Sequence, residues 1–211
     1  MPRIRRLVFP GGFYHLFNRG LNRKVIFPSP NDYLKFLGKL FDLKKDSDFI
    51  VYAYALLSNH FHFLMETGKT PLAKIMGRLL TSYGVYFNKK YQKRGPLFED
   101  RYKSILIQKD SYFLQLSRYI HLNPVKAGLA KDPAGYVYSS FAEIIGKRKP
   151  EVIDKKKVAR LIGDSKFSLQ NYRDFVYAGL KLDLSEFNPW KNNQEVIGSA
   201  RFATHRIRKY R

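Results

Sequence analysis

The stretch Leu56-Leu57-Ser58-Asn59-His60-Phe61-His62-Phe63-Leu64-Met65 narrows the choice of fold more than any other part of the chain. On a pleated strand neighbouring side chains point to opposite faces, so His60 and His62 share one face while Phe61 and Phe63 share the other. One face can hold a cation and the other a core. Two readings of the histidine pair stay open on these residues alone: both rings satisfied by ordinary hydrogen bonds, or both binding a metal.

The segments around this strand predict its setting. Phe13 to Asn18, after the Gly11-Gly12 turn, reads as a first strand, and Pro28-Ser29-Pro30-Asn31-Asp32 starts an amphipathic helix carrying Tyr33, Phe36, Leu37 and Leu40. Phe49 to Leu57 and Phe61 to Glu66 read as the second and third strands, joined through Ser58-Asn59 by a tight hairpin or a bulge. Thr70 followed by Pro71 suits the N-cap and first position of a long helix whose apolar stripe runs from Leu72 to Tyr91. Lys103 to Gln108 is a fourth strand, and Asp110 or Ser111 caps a helix through about Leu122, stopped by Pro124. Tyr138 to Ile145 reads as a short helix. The basic, proline-ended run Gly146-Lys147-Arg148-Lys149-Pro150 marks a boundary, giving one domain over 1–146 and a basic helical C-terminal region over 147–211. Helical patterns recur in that region near Asp154–Ile162, Leu169–Leu180 and Gln194–Tyr210. The order strand, helix, strand, strand, helix, strand, helix predicts an α+β fold of the ferredoxin-like, split βαβ kind: an antiparallel sheet with helices packed on one face, plus a helical C-terminal extension.

Composition then limits the chemistry. Cysteine is absent, which removes disulfides, thiolate zinc sites and a cysteine nucleophile; any metal site must use His, carboxylate, amide or water. No apolar run is long enough to span a membrane, and Pro10-Gly11-Gly12 cuts the N-terminal apolar segment too short for a signal peptide, so a cytoplasmic location is expected. The formal net charge of +22 favours a polyanionic partner, because neutralising phosphates releases condensed counterions. The basic residues are scattered through a folded-looking chain, which points to nucleic acid ahead of a membrane surface. Candidate DNA contacts are His15, Arg19, Arg78, Lys89, Arg101, Lys103 and Arg118, with ordinary solvated charge or core packing as the competing reading for each.

Tyr119 and Asn123 are four residues apart on the helix after the fourth strand and share a face of it. If that face lies over the histidine face of the sheet, Asn123 offers a carbonyl oxygen as a third ligand beside His60 and His62, and Tyr119 sits one helical turn away. A phenol near a metal can act as a nucleophile once it is activated, since its ordinary pKa is ~10. The competing reading is a packed helix tyrosine with its hydroxyl in water.

The run Leu57-Ser58-Asn59-His60-Phe61-His62-Phe63-Leu64, followed by Arg118-Tyr119-Ile120-His121-Leu122-Asn123-Pro124-Val125-Lys126-Ala127-Gly128-Leu129, closely resembles the single-tyrosine HUH transposases, and within them the REP-associated tyrosine transposases. Tyr14-His15, Asn18-Arg19-Gly20, Gly95-Pro96-Leu97-Phe98 and Arg101-Tyr102-Lys103-Ser104 fit the same layout, over roughly residues 8 to 145. Phe98 stands where such proteins often carry Trp. The resemblance implies an enzyme that nicks single-stranded, hairpin-forming DNA with Mg2+ or Mn2+ and transfers strands. It implies His60, His62 and Asn123 as metal ligands and Tyr119 as the nucleophile, forming a 5′-phosphotyrosine and leaving a free 3′-OH, in a monomer or homodimer. Two other classes remain to be weighed against it. One is a non-catalytic nucleic-acid-binding protein or repressor on the same fold; the other is a metallohydrolase of small phosphoesters, which leaves the +22 charge unexplained.

Overall fold

The computed structural model describes residues 6–163, 166–190 and 195–210. Apolar residues at period two and at helical spacing produce, in chain order, β1 (Phe13–Arg19), α1 (Pro30–Asp46), β2 (Phe49–Leu56), β3 (His60–Thr67), α2 (Leu72–Tyr91), β4 (Lys103–Ile107) and α3 (Lys109–Lys126). The C-terminal part adds α4 (Phe141–Ile144), α5 (Lys155–Ile162), α6 (Lys166–Ala178), β5 (Val196–Ile197) and α7 (Ala200–Tyr210). The sheet order is β2-β3-β1-β4-β5. Its first four strands pair antiparallel, which is the split βαβ arrangement, and β5 joins the edge parallel to β4. The helical pattern read near 194–210 therefore begins as a strand. Leu106 and Gln108 donate to the carbonyls of Glu195 and Ile197, so the edge of β4 finds backbone partners there.

Helices cover both faces of the sheet, not one. Phe36 of α1 meets Phe61 and Phe63 at ring separations of 5.2 and 6.2 Å, and α2 lies beside α1 on that face, with Tyr83 at 4.9 Å from Phe36. On the opposite face α3 brings Phe113 and Tyr119 against Phe13 of β1 and His62 of β3. The reason is in the sequence of β3 itself. Both of its faces are buried, with Phe61, His62, Phe63, Leu64 and Met65 at 0% exposure, and a sheet buried on both sides needs two covering layers.

Local chemistry sets the helix ends. The Ser29 backbone N–H and hydroxyl both donate to Asp32 at 2.8 Å and Pro30 opens α1, as the sequence predicts. Thr70 is not the cap of α2. Its hydroxyl accepts the Asp48 N–H, and Pro71 holds the cap position before Leu72. Pro124 lies inside α3 and does not stop it. Proline deletes its own N–H, but Ala127 and Leu129 still donate to the carbonyls of Asn123 and Pro124, at 2.9 and 2.8 Å, so a last turn closes. Asn123 thus stays on the helix, one turn beyond Tyr119. The bulge in the β2–β3 hairpin falls between Val51 and Ala53, away from Ser58-Asn59.

The region beyond residue 146 packs into the same interior. Val152, Val158, Tyr172, Val176, Leu184 and Phe187 belong to the buried cluster of the sheet and its helices. The Tyr172 hydroxyl reaches Ser117 and His121 of α3, at 2.9 Å each, and His121 also contacts the Ser140 hydroxyl at 2.9 Å. His121 is therefore a satisfied core residue. Among the described residues no helix is long and apolar enough to cross a membrane.

Candidate active site

The histidine face is built from two adjacent strands, β1 and β3, and one helix, α3. Directly opposed residues of antiparallel strands share a face, and Phe17 stands opposite His62 while Arg19 stands opposite His60. His15, two residues before Phe17, falls on the same face of β1 and touches His62: its Nε2 is 3.0 Å from His62 Nδ1. The His60 and His62 rings are 5.1 Å apart and nearly perpendicular. α3 crosses above them so that the Tyr119 ring lies 5.8 Å from His62 and 6.2 Å from His15. The Asn123 amide lies close enough to both Tyr119 and His60 to oppose the effect of burial on each, and its Nδ2 is buried without a hydrogen-bond partner. The four residues His60, His62, Tyr119 and Asn123 are therefore brought together.

Electrostatics favours neutral imidazoles. Burial, with Arg19 adding to it and the Asn123 amide opposing it, lowers His60 to about 4. Burial and then the neighbouring His60 and His15 push His62 well below the usual imidazole range, and burial alone takes His15 to about 3. At neutral pH each ring keeps a lone pair, which is the form that ligates metals. Burial raises Tyr119 to about 12, opposed by the Asn123 amide. The donor set fits a divalent ion. His62 Nε2 is buried with no hydrogen-bond partner, and Nδ1 of both His60 and His62 is already engaged, by Asn59 and His15. Among the described residues no group of three His, Cys, Asp or Glu could hold an ion, so any further donor at this point would be an amide such as Asn123, a phenol or water.

The candidate DNA contacts separate into three kinds. Arg19 and Lys103 flank the site. Both lie over the Trp190 ring, at 4.5 and 5.5 Å, and Arg19 also pairs with Glu99. Arg78 and Lys89 are exposed on α2, on the covering layer of the opposite face, where Arg78 lies 3.7 Å from Asp46. Arg101 lines a groove of about 690 Å3 between α2 and residues 95–102 that shares no residue with the histidine site. His15 is corrected from a phosphate contact to an interior residue, since it is 0% exposed and bonded to His62. Arg118 is largely covered, over the Phe175 ring and hydrogen-bonded to Gln115, and lines a polar pocket of about 480 Å3 with Tyr112, Gln115 and Glu186.

Three contributors escaped sequence reasoning. Trp190 packs edge-on against Phe17 at 4.8 Å and stands 6.4 Å from His60, and Phe187 lies 6.5 Å from Tyr119. Asn59, read only as a turn residue, places its side-chain oxygen 2.7 Å from His60 Nδ1. The one signal for Trp190 was its standing as the sole tryptophan of an otherwise basic C-terminal region.

A split βαβ sheet carrying a His-x-His strand under a tyrosine-bearing helix defines an α+β protein in which a phenol faces buried imidazoles. A family model described as "Transposase IS200 like" matches residues 11–123, more than half of the chain, from ahead of β1 to Asn123 of α3. The chain belongs to the IS200-like transposase family. Among solved structures, that of a REP-associated tyrosine transposase bound to a REP hairpin is similar at a TM-score of 0.60 and 19% identity, covering 73% of this chain and 94% of that one. The tRNA(His) guanylyltransferase of Saccharomyces cerevisiae aligns at a TM-score of 0.36 and 14% identity over 81% of this chain and 79% of its own, a level that bears no functional argument. No curated protein matches.

Proposed function

We propose that the protein is a divalent-metal-dependent single-stranded DNA endonuclease and strand-transferase that cleaves beside hairpins through a 5′-phosphotyrosine at Tyr119. The catalytic unit is residues 1–146, with the region from 147 packed onto it. What supports the reading is one juxtaposition, the Tyr119 ring 5.8 Å from His62 and 6.2 Å from His15, with the unpartnered Asn123 amide one helical turn beyond it beside His60. Mg2+ or Mn2+ held by His60, His62 and Asn123 would polarise a phosphodiester oxygen and offset the charge that builds up on phosphorus. Tyr119 supplies the attacking oxygen: its phenol gives up a proton to water as the bond from its oxygen to phosphorus forms, the bond from phosphorus to the 3′-oxygen breaks, and that oxygen leaves with its electron pair and takes a proton from water to become the free 3′-OH. The buried ring fixes the direction of attack, and the Asn123 amide draws the phenol's acidity back toward its ordinary value. Arg19 and Lys103 at the rim, on a chain of net charge +22, hold the strand as it enters. Hairpin-forming DNA is proposed as the substrate because the similar solved structure is of a transposase bound to a REP hairpin.

The test is incubation of the full chain with single-stranded hairpin oligonucleotides and Mn2+ or Mg2+, read as a protein–DNA adduct on denaturing gels. The account expects an adduct that needs the ion and disappears in Tyr119→Phe. An adduct surviving in Tyr119→Phe overturns the nucleophile. Binding with steep salt dependence and no adduct under any divalent ion overturns the enzyme in favour of a DNA-binding protein.

A further inference from the structure

The two histidines can bind an ion through Nε2 only if the proton of each neutral ring sits on Nδ1, and a neutral imidazole has no intrinsic obligation to place it there. Each Nδ1 faces a different partner. For His60 the partner is Asn59, whose side-chain nitrogen is committed to the Arg23 carbonyl at 3.2 Å, leaving its oxygen to face His60 Nδ1 at 2.7 Å. An oxygen can only accept, so the proton is on His60 Nδ1 and the Nε2 lone pair is free. For His62 the partner is His15 Nε2 at 3.0 Å, and only one proton fits between two imidazole nitrogens. If His62 donates, its Nε2 lone pair is free; if His15 donates, His62 Nε2 carries a hydrogen and cannot ligate. His62 Nε2 is buried without a partner, a costly place to leave an N–H and a useful place to leave a lone pair.

We infer that His15 and Asn59 are the positioning residues of the site, each accepting a proton from Nδ1 of a ligand histidine so that His60 and His62 both present Nε2 to the ion. The inference rests on the reading of this site as a metal centre. It assigns His15 a purpose that neither solvent contact nor simple packing gives it. The ring is wholly buried at the middle of β1, spends its Nε2 on His62, and leaves its own Nδ1 without a partner. A phenylalanine in its place would avoid that orphaned nitrogen but could not orient His62. The outer partner of a ligand histidine is more often a carboxylate or a backbone carbonyl. A neutral imidazole does the same geometric work while adding no negative charge to a pocket that must admit a phosphate.

Two measurements on the full chain test this. Long-range 1H–15N correlation spectra of the metal-free protein report the tautomer of each ring directly, and both His60 and His62 are expected as the Nδ1–H form. His62 found as the Nε2–H form overturns the role of His15. Mn2+ titration followed by electron paramagnetic resonance is expected to show about 10- to 100-fold weaker binding in His15→Phe and in Asn59→Leu. Partial recovery is expected in His15→Gln, whose amide oxygen can accept. Unchanged Mn2+ affinity in a folded His15→Phe overturns the proposal. If the parent protein takes up no Mn2+, the metal reading of the site falls, while the tautomer of His62 still decides whether His15 orients it; because that spectrum uses the parent chain, it stands even where a substituted chain fails to fold.

Discussion

Asp32 offers the sharpest quantitative prediction, because its wholly buried carboxylate ties together the two helices that cover the Phe61–Phe63 face. One oxygen accepts from Lys90 at 2.7 Å and Tyr86 at 3.0 Å; the other accepts from Tyr91 at 2.6 Å and from the Ser29 N–H and hydroxyl at 2.8 Å. Burial works against the charge, but hydrogen bonds from Lys90, Tyr91 and Ser29 prevail and lower Asp32 from 3.8 to about 2. A depressed carboxylate contributes stability that is complete above its unfolded value and is lost as pH falls through its folded value. Lowering the group from 3.8 to about 2 corresponds to roughly 2 kcal/mol. Asp32→Asn keeps the shape but turns an amide nitrogen toward donors, either Ser29 and Tyr91 or Lys90 and Tyr86. It should cost about 2–3 kcal/mol at pH 7, or a fall in Tm of roughly 5–9 °C for a chain of this size. Urea unfolding of parent and variant, compared between pH 7 and pH 2.5, is the assay. The gap should close as pH drops from about 4 toward 2. A difference at pH 7 below about 0.5 kcal/mol would refute the reasoning and reduce the Lys90 contact to an ordinary surface ion pair.

Other expectations follow from the same geometry. Phe63→Ala should lose about 3–5 kcal/mol in denaturant unfolding, since a ring at 0% exposure packed on Phe36 leaves a cavity that the sheet cannot close; a loss under 1 kcal/mol would show that layer to be loosely packed. The single tryptophan stands 6.4 Å from His60, so paramagnetic Mn2+ should quench Trp190 fluorescence saturably while Mg2+ does not, and His62→Ala should remove the quenching; quenching unaffected by His62→Ala would place the ion elsewhere. Arg19→Ala combined with Lys103→Ala should weaken single-stranded DNA binding and lower the slope of log affinity against log salt by about 0.7 for each phosphate that is no longer neutralised. Arg78→Ala with Lys89→Ala, on the far layer, should leave adduct formation nearly unchanged; fluorescence anisotropy and the adduct gel together separate the two pairs.

The alternation around His60 carried much of the fold, because a period of two can be satisfied only on a sheet, and the two faces it assigns are the faces found. The partner helix was legible too, since Tyr119 and Asn123 at a spacing of four must share a side. What the pattern could not convey was the number of covering layers. Phe61 and His62 point to opposite faces, and only the complete burial of both shows that α3 lies opposite α1 and α2. Pro124 misled because proline removes only its own N–H, and the N–H groups of Ala127 and Leu129 still close a last turn on the carbonyls of Asn123 and Pro124. His15 and Arg118 misled in another way. Charge and polarity in a basic chain suggest phosphate, yet cross-strand registry turns one ring onto His62, and the stacked Phe175 covers the other side chain. Trp190 reaches the site through chain reversals that no local period encodes.

The most direct measurement is to form the adduct with a single-stranded hairpin and Mn2+, digest with trypsin, and sequence the modified peptide by mass spectrometry. Cleavage after Arg118 and Lys126 releases residues 119–126 as one fragment. The account predicts a 5′-phosphonucleotide on Tyr119 within it and a free 3′-OH on the departing strand; a nucleotide on any other residue, or a cleaved strand ending in a free 5′-phosphate with no protein attached, would contradict it.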